Sequence, residues 1–112
     1  MKKHVIAIAI TCTVSGCVEP PKSPMEAQAR LAVAAEFAAQ NCGGFVGGYD
    51  GAKKMKEDAN RSIVTAKNLG ATAEVFAKAK TDVQTGFNTA AAFTTRQEAC
   101  NALISQVAWS TN

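Results

Sequence analysis

Side chains able to do chemistry are few in this sequence: one histidine, four cysteines and nine carboxylates among 112 residues. The histidine, His4, stands ahead of an apolar run, and no other imidazole follows it. A Ser-His-Asp or Cys-His hydrolase needs a base whose pKa lies near the working pH, so residues 5–112 cannot supply that machinery. Paired carboxylates stay open in principle, because glycan cleavage needs only two of them at a suitable separation. Glu57 and Asp58 are adjacent, however, and neighbours on a helix point to different faces. Glu36, Glu74, Asp82 and Glu98 are scattered among polar positions and read as solvated helix faces. The glycines from Gly43 to Gly51, followed by Lys53 and Lys54, lack the Gly-Lys-Ser/Thr ending of a phosphate loop, and no strand pattern precedes them. The expectation is a non-enzymatic protein with no catalytic residue, metal site or cofactor.

The first residues carry a different kind of information. Met1-Lys2-Lys3-His4 is a short basic segment, and Val5 to Val14 is a run of about ten mostly apolar residues, the plan of a signal peptide. A membrane-spanning helix needs roughly 20 apolar residues, whereas this run is stopped by Ser15 and Gly16 and then by Glu19, Pro20, Pro21 and Lys22. Its end, Val14-Ser15-Gly16-Cys17, resembles the lipobox of bacterial lipoproteins, in which an aliphatic residue, usually Leu, and two small residues precede an invariant cysteine. The resemblance implies cleavage after Gly16, a diacylglycerol on the Cys17 sulfur and a further acyl chain on its amine. Two or more chains give stable anchoring, where a single chain dissociates readily. The alternative is an ordinary secretory signal cleaved near Gly16 that leaves a free thiol at Cys17. Both place the remaining chain outside the cytoplasm. By the sorting rule of enterobacterial lipoproteins, Val18 in place of an Asp favours the periplasmic face of the outer membrane.

On that reading the chain divides into a signal peptide at 1–16, a lipidated cysteine with a Pro-rich tether at 17–23, and one domain at 24–112. The full chain is formally +3. Loss of Lys2 and Lys3 leaves 10 basic against 9 acidic side chains, a near-neutral balance that does not suggest a nucleic-acid partner. Loss of Cys12 and lipidation of Cys17 leave Cys42 and Cys100 as a pair in an oxidising compartment, where a disulfide is the default. It would close a loop of roughly 59 residues and contribute about 4 kcal/mol by chain entropy. Two free thiols acting as metal ligands or as a redox pair are the other option.

The elements that would position these residues are helical. Ser23-Pro24-Met25-Glu26 predicts a helix start, with Ser23 as N-cap, Pro24 at the first helical position and Glu26 completing a capping box. Leu31, Ala34, Ala35, Ala38 and Cys42 recur at helical spacing, and Asn41, Gly43 and Gly44 mark the end. After a loop at Gly43 to Gly51, a second helix is expected from near Asp50 to Leu69, with Ala52, Met55, Ala59, Ile63 and Ala66 on one face and Gly70 ending it. A third from about Thr72 carries Val75, Phe76, Ala79, Val83, Phe87 and Ala90, with Gly86 as a candidate bend. Thr95-Arg96-Gln97-Glu98 is a second capping box, and the last helix presents Cys100, Leu103, Ile104 and Val107, with Trp109 near its end. No alternating β-branched run argues for a sheet. The expected fold is all-α, a small antiparallel four-helix bundle stapled by Cys42–Cys100.

Three surface features remain. Phe45, Val46 and Tyr49, set among glycines, form a candidate apolar contact for a partner, although core packing, a structural turn or small-xxx-small helix contacts through the same glycines are alternatives. Lys53, Lys54, Lys56 and Arg61 form a basic cluster that would suit anionic headgroups near the anchor or a solvated helix face. Trp109 reads as a core or end-sealing residue. The function expected is that of a membrane-anchored envelope lipoprotein binding another envelope protein, as an assembly accessory, an inhibitor or immunity factor, or an exclusion lipoprotein. The alternative is a periplasmic stress chaperone, since small helical periplasmic proteins held by one disulfide resemble the acid-stress chaperones of enteric bacteria in general design.

Overall fold

Capping chemistry sets where the helices begin. The Ser23 hydroxyl accepts from Glu26 N at 3.2 Å, Thr72 from Val75 N at 3.4 Å and Thr95 from Glu98 N at 3.0 Å, each satisfying a backbone donor that the first helical turn leaves orphaned. Glu26 reaches one residue further back than a capping box requires, with Oε1 accepting from Lys22 N at 3.0 Å. The computed structural model describes residues 20–45 and 47–111, with the side chains of 109–111 excepted. The signal segment, Cys17, Val46 and the side chain of Trp109 lie outside the described residues.

Four helices result: α1 Pro24–Asn41, α2 Gly48–Asn68, α3 Ala73–Phe93 and α4 Arg96–Thr111, with a 3₁₀ turn at Gly43–Phe45 between the first two. Among the described residues there is no strand, and no helix is long and apolar enough to cross a membrane. α2 ends in a Schellman motif: Gly70, at φ 103°, donates to Lys67 O at 3.0 Å, and Ala71 donates to Ala66 O at 2.9 Å. Only a residue tolerant of positive φ closes the helix this way. α3 continues as one helix through Gly86, which is buried.

The bundle is built around α1. It contacts all three other helices, α4 also rests on α3, and α2 and α3 hardly touch although a four-residue turn joins them. Accordingly the buried residues of α1, Ala29, Ala32, Ala34, Ala35, Ala38 and the capping Cys42, spread over more than half its circumference. The other helices bury the narrower stripes expected of them, such as Ala59, Ser62 and Ala66 on α2 and Ala79, Val83 and Phe87 on α3. The helices run antiparallel in order. Gly70, at the end of α2, lies beside Met25 at the start of α1, and Arg96 at the start of α4 donates to Asn41 O at the end of α1.

Asp82 is one residue whose surroundings differ from the solvated face expected of it. It is 18% exposed and accepts from Arg30 on α1 at 3.0 Å and from Lys78 at 3.0 Å. This pair joins α1 to α3 from well-covered positions, so it lies between the small contribution of surface pairs and the large penalty of breaking buried ones. Asp82→Ala is expected to cost about 1–2 kcal/mol, lowering the thermal midpoint by about 5–10 °C. Lys78→Ala, at the 66% exposed partner, should cost under about 0.5 kcal/mol. Equal effects from the two, read from thermal melts, would show that the α1–α3 ion pair adds nothing.

Candidate functional site at the disulfide end

The end of the bundle remote from Pro24 is assembled by covalent and polar ties. Cys42 caps α1, its N–H donating to Ala38 O at 2.8 Å, and Cys100 sits in the second turn of α4. The two form a disulfide with Cα atoms 5.6 Å apart, and both residues are fully buried. Arg96 adds a second tie: its Nη2 donates to Asn41 O at 3.1 Å while its guanidinium lies 5.6 Å from the centre of the Phe87 ring. The end is thus a rigid platform on which the short α1–α2 connection is displayed.

That connection is not the irregular loop expected from Gly43 to Gly51. Gly43–Phe45 forms a 3₁₀ turn, closed by Phe45 N donating to Cys42 O at 2.8 Å, and α2 starts at Gly48. Gly47 is the N-cap at φ 99° and Gly48 follows at φ 77°, so these two glycines are required by backbone conformation. Among the described residues, a Cβ built at Gly43, Gly44 or Gly48 would meet nothing within 4 Å. At these three positions the glycines do not serve close helix-to-helix approach among the described residues.

What the turn displays is aromatic. Phe45 is 43% exposed and Tyr49, in the first turn of α2, is 81% exposed. Phe93, the last residue of α3, is 85% exposed at the same end of the bundle. Its signal was present in the sequence: six residues beyond Phe87, it falls about 120° around the helix from Phe87, off the stripe that Phe87 shares with Val83. Single exposed apolar residues are ordinary, but three exposed aromatics at one end of so small a domain give that end a composition favoured at interfaces.

The first part of the basic cluster belongs to this end as well. α2 runs back from the 3₁₀ turn, so Lys53 and Lys56 follow Tyr49 on one face at i+4 and i+7, and both are exposed. Neither has an ion-pair partner among the described residues. Lys54 and Arg61 instead flank Asp58, which is 4% exposed, with Lys54 Nζ 3.5 Å from its Oδ1 and Arg61 bonded to the same oxygen. Arg61 lies 13 residues beyond Gly48, about 20 Å along α2, so the cluster is spread down the helix toward Met25.

Glu57 and Asp58 diverge as adjacent helical residues must, one exposed and one buried. Among the described residues, no group of three or more His, Cys, Asp or Glu is placed to hold a metal ion. Compared with known proteins, the chain matches no family model, no curated protein and no solved structure.

Proposed function

We propose that the protein is a lipoprotein of the bacterial envelope, anchored through lipid on Cys17, whose helical domain binds another envelope protein through its disulfide end. One observation carries the reading: Phe45, Tyr49 and Phe93 are exposed together on the end opposite the start of α1, beside the exposed Lys53 and Lys56. α1 spans about 27 Å, so that end lies about a helix length from Pro24, where the tether would enter. The partner suited to it has an apolar recess bordered by acidic side chains. Val18 supports the outer membrane, periplasmic face, as the site of anchoring. The role is that of a non-enzymatic accessory, inhibitor or exclusion factor.

The test is chemical cross-linking in intact cells followed by purification of the full-length protein, comparing the natural chain with a Phe45→Ser, Tyr49→Ser, Phe93→Ser variant. All three residues are exposed, so helicity by circular dichroism should be unchanged while cross-linked partner falls at least tenfold. Association should also weaken between about 50 and 500 mM salt, since Lys53 and Lys56 act through a screened field. A partner retained in full by the triple variant would remove the end face from the interaction. Intact mass of the membrane-extracted protein tests the anchor separately, by loss of residues 1–16 and the added acyl groups.

A further inference from the structure

The gap between α2 and α3 is a site in its own right. Because these two helices stand apart on the same face of α1, they leave an open groove of about 690 Å³ floored by the C-terminal half of α1. Val33 and Phe37 line the floor, with Ile63 on one wall and Phe76 and Ala77 on the other. Val33, Phe37, Ile63 and Phe76 are each only partly buried, so the groove keeps apolar surface in contact with water inside an otherwise closed core. Two ammonium groups border it, Lys67 from α2 and Lys80 from α3, and neither has an ion-pair partner among the described residues. Glu36 is the one carboxylate in the lining, which leaves a net charge of +1.

Size and charge together select the occupant. The lining residues of α1 run from Ala32 to Asn41, about 14 Å of helix. That is fewer than three helical turns, little for docking a partner helix, and the groove's volume falls in the range of about 300–1,000 Å³ usual for small-molecule sites, which combine apolar walls with a few placed polar groups. An alkyl chain matches the floor and a single negative charge neutralises the lining. We propose that the groove binds a long-chain carboxylate, its alkyl chain laid over Val33, Phe37 and Phe76 and its carboxylate held by Lys67 and Lys80. The site is independent of the disulfide-end face and does not require the anchor.

The test uses the full-length protein in nanodiscs of zwitterionic lipid, titrated with a dansyl-labelled fatty acid and read by fluorescence against protein-free nanodiscs. Saturable one-to-one binding that is displaced by laurate and not by the uncharged dodecanol is the expected result. Ala77→Trp should abolish it: Ala77 is exposed, so the indole fills the groove without entering the core, and an unchanged thermal melt verifies the fold. Lys67→Glu with Lys80→Glu should weaken binding at least tenfold while leaving the melt unchanged. Fluorescence no greater than with protein-free nanodiscs would overturn the proposal. So would equal displacement by dodecanol, which would reduce the site to an apolar surface without a charge preference. Binding seen only when Cys17→Ser removes the lipid would overturn it too, because the protein's own acyl chain would then be the occupant.

Discussion

Reducing the Cys42–Cys100 disulfide is expected to lower the thermal midpoint by about 15–30 °C. The bridge joins residues 58 apart in sequence, and chain entropy assigns such a loop about 4 kcal/mol. At about 4–8 °C per kcal/mol for a domain of this size, the shift follows. Its weight comes from the composition of the core. Ala29, Ala32, Ala35, Ala38, Ala59 and Ala66 are all fully buried in α1 and α2, and alanine buries little apolar area on folding. The largest fully buried side chains are Val107, Cys42 and Cys100, so the sulfur atoms are themselves a substantial part of the packed interior. Total stability for about 90 ordered residues is about 5–13 kcal/mol, of which the bridge would be a third or more. Far-UV circular dichroism melts with and without reductant measure it directly. The double variant Cys42→Ala, Cys100→Ala should fall at least as far, because it also loses the packed sulfurs. A shift below about 5 °C on reduction would mean that α4 is held by its apolar contacts and that the staple is incidental.

Legibility of the fold followed the range of the interactions that set each part. Ser23, Thr95 and Gly70 act within one turn of their own helices, and their roles could be read from the residues alone. The stripes of α2, α3 and α4 were equally plain, since each of those helices buries one face. The central place of α1 was not. Alanine is compatible with both a buried and an exposed position, so a run such as Ala27 to Ala39 does not reveal how much of its circumference is covered. The separation of α2 from α3 follows from that central place and was hidden with it, and so was the groove between them. The Arg30–Asp82 pair spans 52 residues and could not be foreseen before the helices were placed.

The disulfide end was partly legible. Cys42, Cys100, Phe45 and Tyr49 were all marked by type, and the structure brings Cys42 and Cys100 into a bond and leaves Phe45 and Tyr49 exposed beside it. What sequence reasoning lacked was direction. Once α2 is known to run back from the 3₁₀ turn toward Met25, Lys53 and Lys56 fall in its first half and share the disulfide end with Tyr49, while Arg61 falls in its second half. Phe93 joins them for the same reason, as the end of the helix that rises beside α1.

Phe87→Ala is expected to cost about 3–5 kcal/mol, the range for truncating a buried phenylalanine. Phe87 is 3% exposed and is the largest of the buried hydrophobic side chains. Its ring meets Phe37 of α1 at 5.0 Å between centroids, tilted by 58°, and the Arg96 guanidinium of α4 lies 5.6 Å from its centre. One side chain therefore links three helices. Phe87→Leu, which keeps most of the volume, should cost about 1.5 kcal/mol or less. Arg96→Ala should cost about 1 kcal/mol, through the lost bond to Asn41 O and the lost contact with the ring. A double-mutant cycle of Phe87→Ala with Arg96→Ala should give a coupling of about 0.5–1 kcal/mol, measured by urea denaturation. If Phe87→Ala costs less than about 2 kcal/mol, the ring does not bind α4 to the bundle, and the docking of that helix rests on Cys100, Leu103 and Val107.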